Sequence, residues 1–279
     1  MKLFSLLQPI VLTLCISVLA ACTALPPNTT APPSQVLPSA TAITQFTPTG
    51  KLRAAINFGN PILANKDAAT GQPVGVSIDL ATELARRLGM PLEIITFNAA
   101  GKVVEAVKAG TVDIAFVAID PVRGADMHYS AAYVIIEGAY MVKNDSPIRS
   151  NSEVDRAGQR ISVGLGSAYD LYLTREIKNA SLVRAATSAQ VTDQMLAQNL
   201  EVAAGVKQQL QMDARRVAGL RLIDGRFMVI NQAMGMPRGR DAAHAYLKTY
   251  VEEMKATGYI ATALVRHKIE GAAVAPAAN

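Results

Sequence analysis

Val112 to Ala118 is a near-continuous apolar run bounded by Gly110-Thr111 and Ile119-Asp120-Pro121. A short run of this kind reads as a strand buried on both faces, and such strands occur where helices cover a parallel sheet. Its surroundings fit. Leu52–Ile56 and Leu92–Phe97 read as strands, and Asp79–Leu88 and Val103–Ala109 as helices. Leu80, Leu84 and Leu88 share one helix face, and Gly89 and Pro91 end that helix. Tyr133–Ile136 and Ala139–Val142 are strand-like. The polar stretch Lys143–Arg160 then breaks the rhythm. A second series follows: strand Ile161–Gly164, helix Tyr169–Ile177, strand Leu182–Ala185, helix Ala189–Gln198, strand Val202–Ala204 and helix Lys207–Arg215. Strands near Leu220 and Phe227, a piece at Ala233–Met236 and helices Asp241–Ala256 and Ile260–His267 close the chain. Alternation at this spacing implies an α/β fold of mostly parallel sheets flanked by helices. Two series imply two lobes of about 100 residues each.

The amino terminus sets the expected compartment. Lys2 is the only charge before residue 51, an apolar run extends from Leu3 to Ala21, and Leu19-Ala20-Ala21-Cys22 closes it. This is the layout of a secretory signal. Pro9 and the absence of a charged stop after Cys22 count against a membrane-spanning helix. The Leu-Ala-Ala-Cys ending resembles the lipobox of bacterial lipoproteins, which implies that residues 1–21 are removed and that Cys22 carries lipid. Residues 22–50 read as an extended tether, because Thr23–Gly50 holds six prolines and no charge. Residues 271–279 read as a disordered tail.

Several function classes are excluded by composition. With Cys15 removed and Cys22 lipidated, no thiol remains for a disulfide or a cysteine metal site. His128, His244 and His267 lack ligand spacing, so neither metal nor cofactor is expected. Trp is absent, which argues against a site built on Trp stacking. The net charge of +5 is spread out, and Arg86-Arg87 and Arg215-Arg216 lie in helix-like runs, so no nucleic acid is expected as a partner. Asp79 and Glu83 read as a solvated face beside Arg86 and Arg87. There is no GxSxG elbow, HExxH, P-loop or CxxC, and no catalytic residue is assigned.

Two loops carry candidate chemistry. Gly164-Leu165-Gly166-Ser167-Ala168-Tyr169 follows a strand and opens a helix. It is either an ordinary cap or an anion site built on free N–H groups. Arg123 follows the buried strand Val112–Ala118, at the carboxyl end where ligands of open α/β sheets sit. It is either a surface residue at a helix start or a fork for a carboxylate. Lys207 opens a helix in the second series, either exposed or in polar contact with a cleft.

From about Lys51 to His267 the order of pieces resembles the amino-acid-type solute-binding proteins (family 3) of bacterial ABC importers. Gly75-Val76-Ser77-Ile78-Asp79-Leu80-Ala81 is similar to that family's glycine–aromatic–Asp–x–Asp–Leu–Ala signature, with Ser77 in place of the first acid. Gly110-Thr111-Val112-Asp113-Ile114 through Arg123 is similar to the segment ending in the carboxylate-binding Arg. Tyr129-Ser130-Ala131-Ala132-Tyr133 resembles the aromatic–Ser–x–Pro–Tyr before the first crossover, and Gly166-Ser167-Ala168 the second-lobe turn on the same carboxylate.

The resemblance implies a two-lobed periplasmic-binding-protein-like (type II) fold with crossover strands near Ile135–Ala139 and Val229–Met234. Residues 51–137 and 232–270 would form lobe one and residues 138–231 lobe two. It implies capture of a small carboxylate-bearing solute, an amino acid or organic acid, in a cleft between the lobes. The partners it implies are a membrane permease and, through the lipid, a membrane; a monomer is expected. The ligand-binding set is Asn57, Phe58, Ala118, Arg123, Ser167, Ala168, Tyr169 and Lys207, with Arg123 facing a wet cleft. Val206 stands where members that hold an α-ammonium have Asp, and Lys207 suits a second acidic or polar group. Asn60 and Ala100 stand where clamping aromatics are usual, leaving Phe58 as the nearby ring. The alternative is an enzyme on the same fold, like the periplasmic dehydratases of cyclic carboxylic acids. Its general acid–base pair would be Glu137 and Lys207. A receptor-sensor module would need a following signalling domain.

Overall fold

The computed structural model describes residues 35–278; the signal, Cys22 and the first part of the expected tether lie outside the described residues. After helix α1 (Ala40–Phe46) come strands β1 (Leu52–Asn57), β2 (Asn65–Lys66) and β3 (Pro73–Val74). Helix α2 (Val76–Leu88), β4 (Leu92–Phe97), α3 (Ala100–Lys108) and β5 (Ile114–Ala118) complete the first series. The long β6 (Met127–Lys143) leads to β7 (Arg160–Gly164), α4 (Ala168–Glu176), β8 (Ser181–Ala185), α5 (Val191–Ala197), β9 (Val202–Val206), α6 (Lys207–Arg216) and β10 (Leu220–Leu222). Then β11 (Met228–Pro237) returns to the first lobe, where α7 (Asp241–Ala256), α8 (Tyr259–Arg266) and β12 (Ala273–Val274) finish the chain.

Strand order is β4-β1-β5-β11-β6-β9-β7-β8, with β10 and β12 also on β6. Within each lobe the outer strands are parallel: β1 with β4 and β5, and β7 with β8 and β9. The two-residue period of a strand assigns side chains to layers. On β5, Ile114, Phe116 and Ala118 enter the core beneath α2 and α7, while Ala115 and Val117 enter the one beneath α3. On β6, Tyr140 and Val142 face one second-lobe core and Ala139 and Met141 the other. Helices on both faces are what the unbroken apolar strands require.

Among the described residues, only β6 and β11 run through both lobes. They pair antiparallel, Met228 with Gly138 and Asn231 with Ile135, at the expected crossings. The two strand pieces expected at Tyr133–Ile136 and Ala139–Val142 are one continuous strand. Glu137-Gly138 separates them in sequence but does not break the ladder. A Cβ on Gly138 would lie 2.7 Å from Met228 Cγ and 2.9 Å from Phe227 Cζ, so the glycine admits β11.

Two other expectations change. The tether does not stay extended to Gly50: Ser39 caps α1 by accepting from the Ala42 N–H at 3.1 Å. Phe46 is fully buried against Tyr246, edge to face. Gln45 Oε1 accepts the Ala243 N–H at 3.0 Å, satisfying a free donor of α7. Burial of one aromatic ring offsets the ordering entropy of a short helix. The tail is not disordered either, since Ala273 and Val274 pair with Ile135 and Val134, and Ala275 donates to Tyr133 O. These edge bonds need no side-chain pattern, which is why a small-residue sequence conceals them. Among the described residues no helix is long and apolar enough to cross a membrane.

Asp113, with no exposed side-chain surface, joins three elements of the first lobe. Its Oδ2 accepts the Arg53 N–H and Nε, its Oδ1 accepts Arg53 Nη2 at 2.9 Å, and Arg240 Nη1 donates to Oδ1 at 2.9 Å. The hydrogen bond to Asp113 raises the pKa of Arg53 above the ordinary guanidinium value. Asp113→Ala leaves two cations without their acceptor and should cost about 3 kcal/mol. Urea denaturation should show a lower midpoint at unchanged slope.

Candidate functional site between the lobes

The carboxyl ends of β1, β5, β7 and β8 converge on a small cavity of about 30 Å³. Asn57, Ala118, Arg123, Ser167, Ala168 and Tyr169, six of the expected ligand-binding residues, line it together. Its volume suits a water or two and is far below the several hundred Å³ of an ordinary ligand pocket. The lobes therefore stand closed over it.

Arg123 is the centre of this closure. It does not face a wet cleft: it is 3% exposed, held by the short turn after β5. Nη1 donates to Ala118 O at 3.1 Å on its own lobe, and Nη2 donates to Gly166 O at 2.7 Å on the other. Burial pulls its pKa below the usual guanidinium value, while Tyr129 and Asp120 pull it back. The same burial pushes the Tyr129 phenol up to about 12. A reciprocal contact lies beside it. Arg175 of α4 donates Nη2 to Asp120 Oδ2 at 3.0 Å, while Asp120 Oδ1 accepts the Val122 N–H. Each lobe thus lends one guanidinium to the other.

The second-lobe wall is the start of α4. Ser167 is the N-cap and accepts the Asp170 N–H at 3.0 Å. Ala168 and Tyr169, the first two residues of the helix, have N–H groups with no acceptor inside it. Asp170 accepts the Gly166 N–H at 2.9 Å and is itself held by Arg184 at 3.0 Å. That cation offsets the carboxylate, so the helix start keeps its attraction for an anion. Gly166 has φ +67°, a left-handed turn that glycine adopts without strain. The Tyr169 ring packs in the second-lobe core, where burial raises the pKa of its phenol.

Two expected residues lie elsewhere. Phe58 packs against the first-lobe core, with the Lys66 ammonium 5.9 Å from its ring centre. One position along β1's exit turns its side chain from cleft to core. Lys207 donates to Glu137 Oε2 at 2.9 Å, and Arg226 donates to Glu137 Oε1 at 2.7 Å. These two cations lower the Glu137 pKa below the usual carboxylate range. Lys207 is therefore spent on the crossover, and the acid–base pair named for an enzyme is a surface ion pair outside the cavity. Ser188 and Gln232 line the cavity and were missed by sequence reasoning. Ser188 follows β8, and the strand-end rule could have found it; Gln232, inside a crossover strand, gave no signal. Asn60, read only as a missing aromatic, also lines the cavity, and its buried Oδ1 has no partner among the described residues.

The glycine–Asp signature is structural. A Cβ on Gly75 would lie 2.5 Å from Leu63 O, Ser77 Oγ meets Tyr133 Oη at 3.3 Å, and Asp79 Oδ2 meets His267 Nε2 at 2.8 Å. Asp79 thus ties α2 to the end of α8 and is not merely a solvated face.

Residues 42–267 match the family of bacterial extracellular solute-binding proteins, family 3, and the chain belongs to that family. No curated protein matches the sequence. Among solved structures it is similar to a mutant of ArgBP from T. maritima, at 18% identity and TM-score 0.71, over 82% of this chain and 100% of that one. It is similar to the solute receptor for L-cysteine of Neisseria gonorrhoeae, at 19% identity and TM-score 0.71, over 82% and 95% of the two chains. A third similar structure is the ancestral amino acid-binding protein AncCDT-1, a precursor of cyclohexadienyl dehydratase, at 19% identity and TM-score 0.68, over 80% and 98%. These likenesses show the fold, the two-lobed type II arrangement with two crossover strands.

Gly101 of α3 and Gly166 meet across the lobes; a Cβ on Gly101 would lie 3.9 Å from Gly166 Cα, so the longer leucine side chain would press on the second lobe. Gly101→Leu should hold the lobes apart and weaken solute binding by about tenfold, on the order of an overpacked core position. Thermal melting without solute should change little, because each lobe keeps its own core and the better helix propensity of leucine offsets part of the lost cross-lobe contact.

Proposed function

We propose that the protein captures a small carboxylate-bearing solute between its lobes and delivers it to the membrane permease of an ABC-type importer. The observation that carries this is the meeting of buried Arg123 with the start of α4. In the closed state Arg123 spends its fork on the Ala118 and Gly166 carbonyls. A carboxylate is a stronger acceptor than either, and the Ala168 and Tyr169 N–H groups supply donors from the other side. Each half binds weakly alone, so the solute favours the closed form by its differential affinity.

The other end of the solute faces neutral groups. Asn57, Asn60, Ser188 and Gln232 line the cavity, and none is acidic. A desolvated ammonium there would lack a charged partner. Asn60 Oδ1 instead suits a hydroxyl or amide donor, which favours organic acids over amino acids gripped in the usual way. With Lys207 paired to Glu137, a second carboxylate on the solute gains nothing from it. A solute-binding protein of this kind works outside the cytoplasm, and the Leu19-Ala20-Ala21-Cys22 ending supports a lipid anchor on Cys22.

A thermal-shift screen of small carboxylates, amino acids and amines identifies the solute class, since binding to the native state alone raises the melting temperature. Calorimetric titration of the best hit then tests Arg123. Arg123→Ala should cost roughly 3–5 kcal/mol, a hundred- to a few-thousand-fold in affinity. Arg123→Lys should recover part, since an ammonium does not fork. A loss of tenfold or less would remove Arg123 from the site. Separately, Cys22→Ser should move the protein from the membrane to the soluble fraction; retention on the membrane would place the anchor elsewhere.

A further inference from the structure

The larger cavity lies outside the Arg123 site and shares no lining residue with it. It measures about 320 Å³, within the range of small-molecule pockets. One wall is α6 of the second lobe. Gln208, Gln211, Met212 and Arg215 recur there at helical spacing and so share one face. The opposite wall belongs to the first lobe: Ile62 and Val74 around the β2–β3 hairpin, and Lys268, Ile269 and Glu270 after α8.

The chemistry of these walls is specific. Gln208 is 9% exposed; its Nε2 donates to Glu270 O at 3.2 Å, but its buried Oε1 has no partner among the described residues. A buried acceptor left open costs free energy until a donor reaches it. Arg215 and Lys268 line the same pocket, and neither side chain has a partner among the described residues. Among the described residues that line it, the Glu270 carboxylate is the one acid, and His267 is turned to Asp79. Ile62, Val74 and Met212 supply apolar surface between the charged groups.

We propose that this pocket is a second ligand site, for a small carboxylate whose far end carries a hydroxyl or ammonium donor. The carboxylate meets Arg215 and Lys268, the methylenes lie on the apolar side chains, and the donor meets Gln208 Oε1 and the Glu270 carboxylate. Because the walls come from different lobes, an occupant binds only at this lobe separation and favours the closed form. Binding here therefore strengthens solute binding at Arg123, and the effect is reciprocal.

The probe is 4-aminobutyrate, with butyrate lacking the donor and butylamine lacking the carboxylate. Binding to the full chain is measured by calorimetry with Arg123 native, so that the closed form is kept. Saturable 4-aminobutyrate binding is expected, with each control weaker by about tenfold and a similar loss on adding Arg215→Ala or Lys268→Ala. Both side chains are exposed and unpaired, so neither change should lower the melting temperature. No saturable binding, equal binding of butyrate and 4-aminobutyrate, or binding indifferent to both variants would overturn the proposal. Binding lost in Arg123→Ala but unchanged in Arg215→Ala and Lys268→Ala would place the probe in the first site and would also overturn the proposal, while leaving that site intact.

Discussion

The Arg123 guanidinium, buried where the two lobes meet, is the interaction on which the closed form depends. An unpaired buried cation is costly, and here the cost is met by one carbonyl from each lobe. The Asp120–Arg175 pair repeats the exchange in the opposite direction. Polar contacts thus hold the lobes around a small cavity, beside Ala168, Val206 and Met228 of the second lobe packed on the first-lobe core. Contacts of that kind are replaceable, and a carboxylate is the group best suited to replace them. The fold supplies the precision: β5 ends beside Arg123, β7 ends beside Gly166, and β6 and β11 join the halves.

Polar side chains elsewhere keep the scaffold rigid so that the cleft can move. Asp113 fixes β1, β5 and α7 to one another. Asp79 fixes α2 to α8, and Glu83 and Glu253 hold Arg87, whose guanidinium lies 5.3 Å from the Tyr250 ring centre. At the crossover, Glu137 gathers Lys207 and Arg226 from the second lobe. The strap of residues after α8 pairs with β6 beside that point and contacts Gln208. Both arrangements lie beside the crossover strands that join the lobes.

Most of the fold was legible because its signals are periodic. Leu80, Leu84 and Leu88 marked α2, and the run ending at Ala118 marked the buried β5. The features that escaped depend on distant partners. Phe46 orders α1 only because Tyr246 lies across from it. Ala273 and Val274 become a strand only because β6 offers an open edge there. In the site, strand-end logic and motif resemblance placed Arg123, Ser167, Ala168 and Tyr169 around one cavity. They misplaced Phe58 and Lys207, because sequence adjacency does not say which way a side chain turns or which neighbour claims it. Gln232 gave no sign at all, since a polar residue within a strand shows its purpose only once both lobes surround it.

A crystal structure of the chain with the best thermal-shift hit tests the account most directly. The solute carboxylate should lie within hydrogen-bond distance of the Arg123 guanidinium, with the Ala168 and Tyr169 N–H groups facing it and the Arg123–Gly166 contact exchanged for the solute. A solute held in the cleft with its carboxylate turned away from Arg123, and with Arg123 still on Gly166 O, would contradict the account.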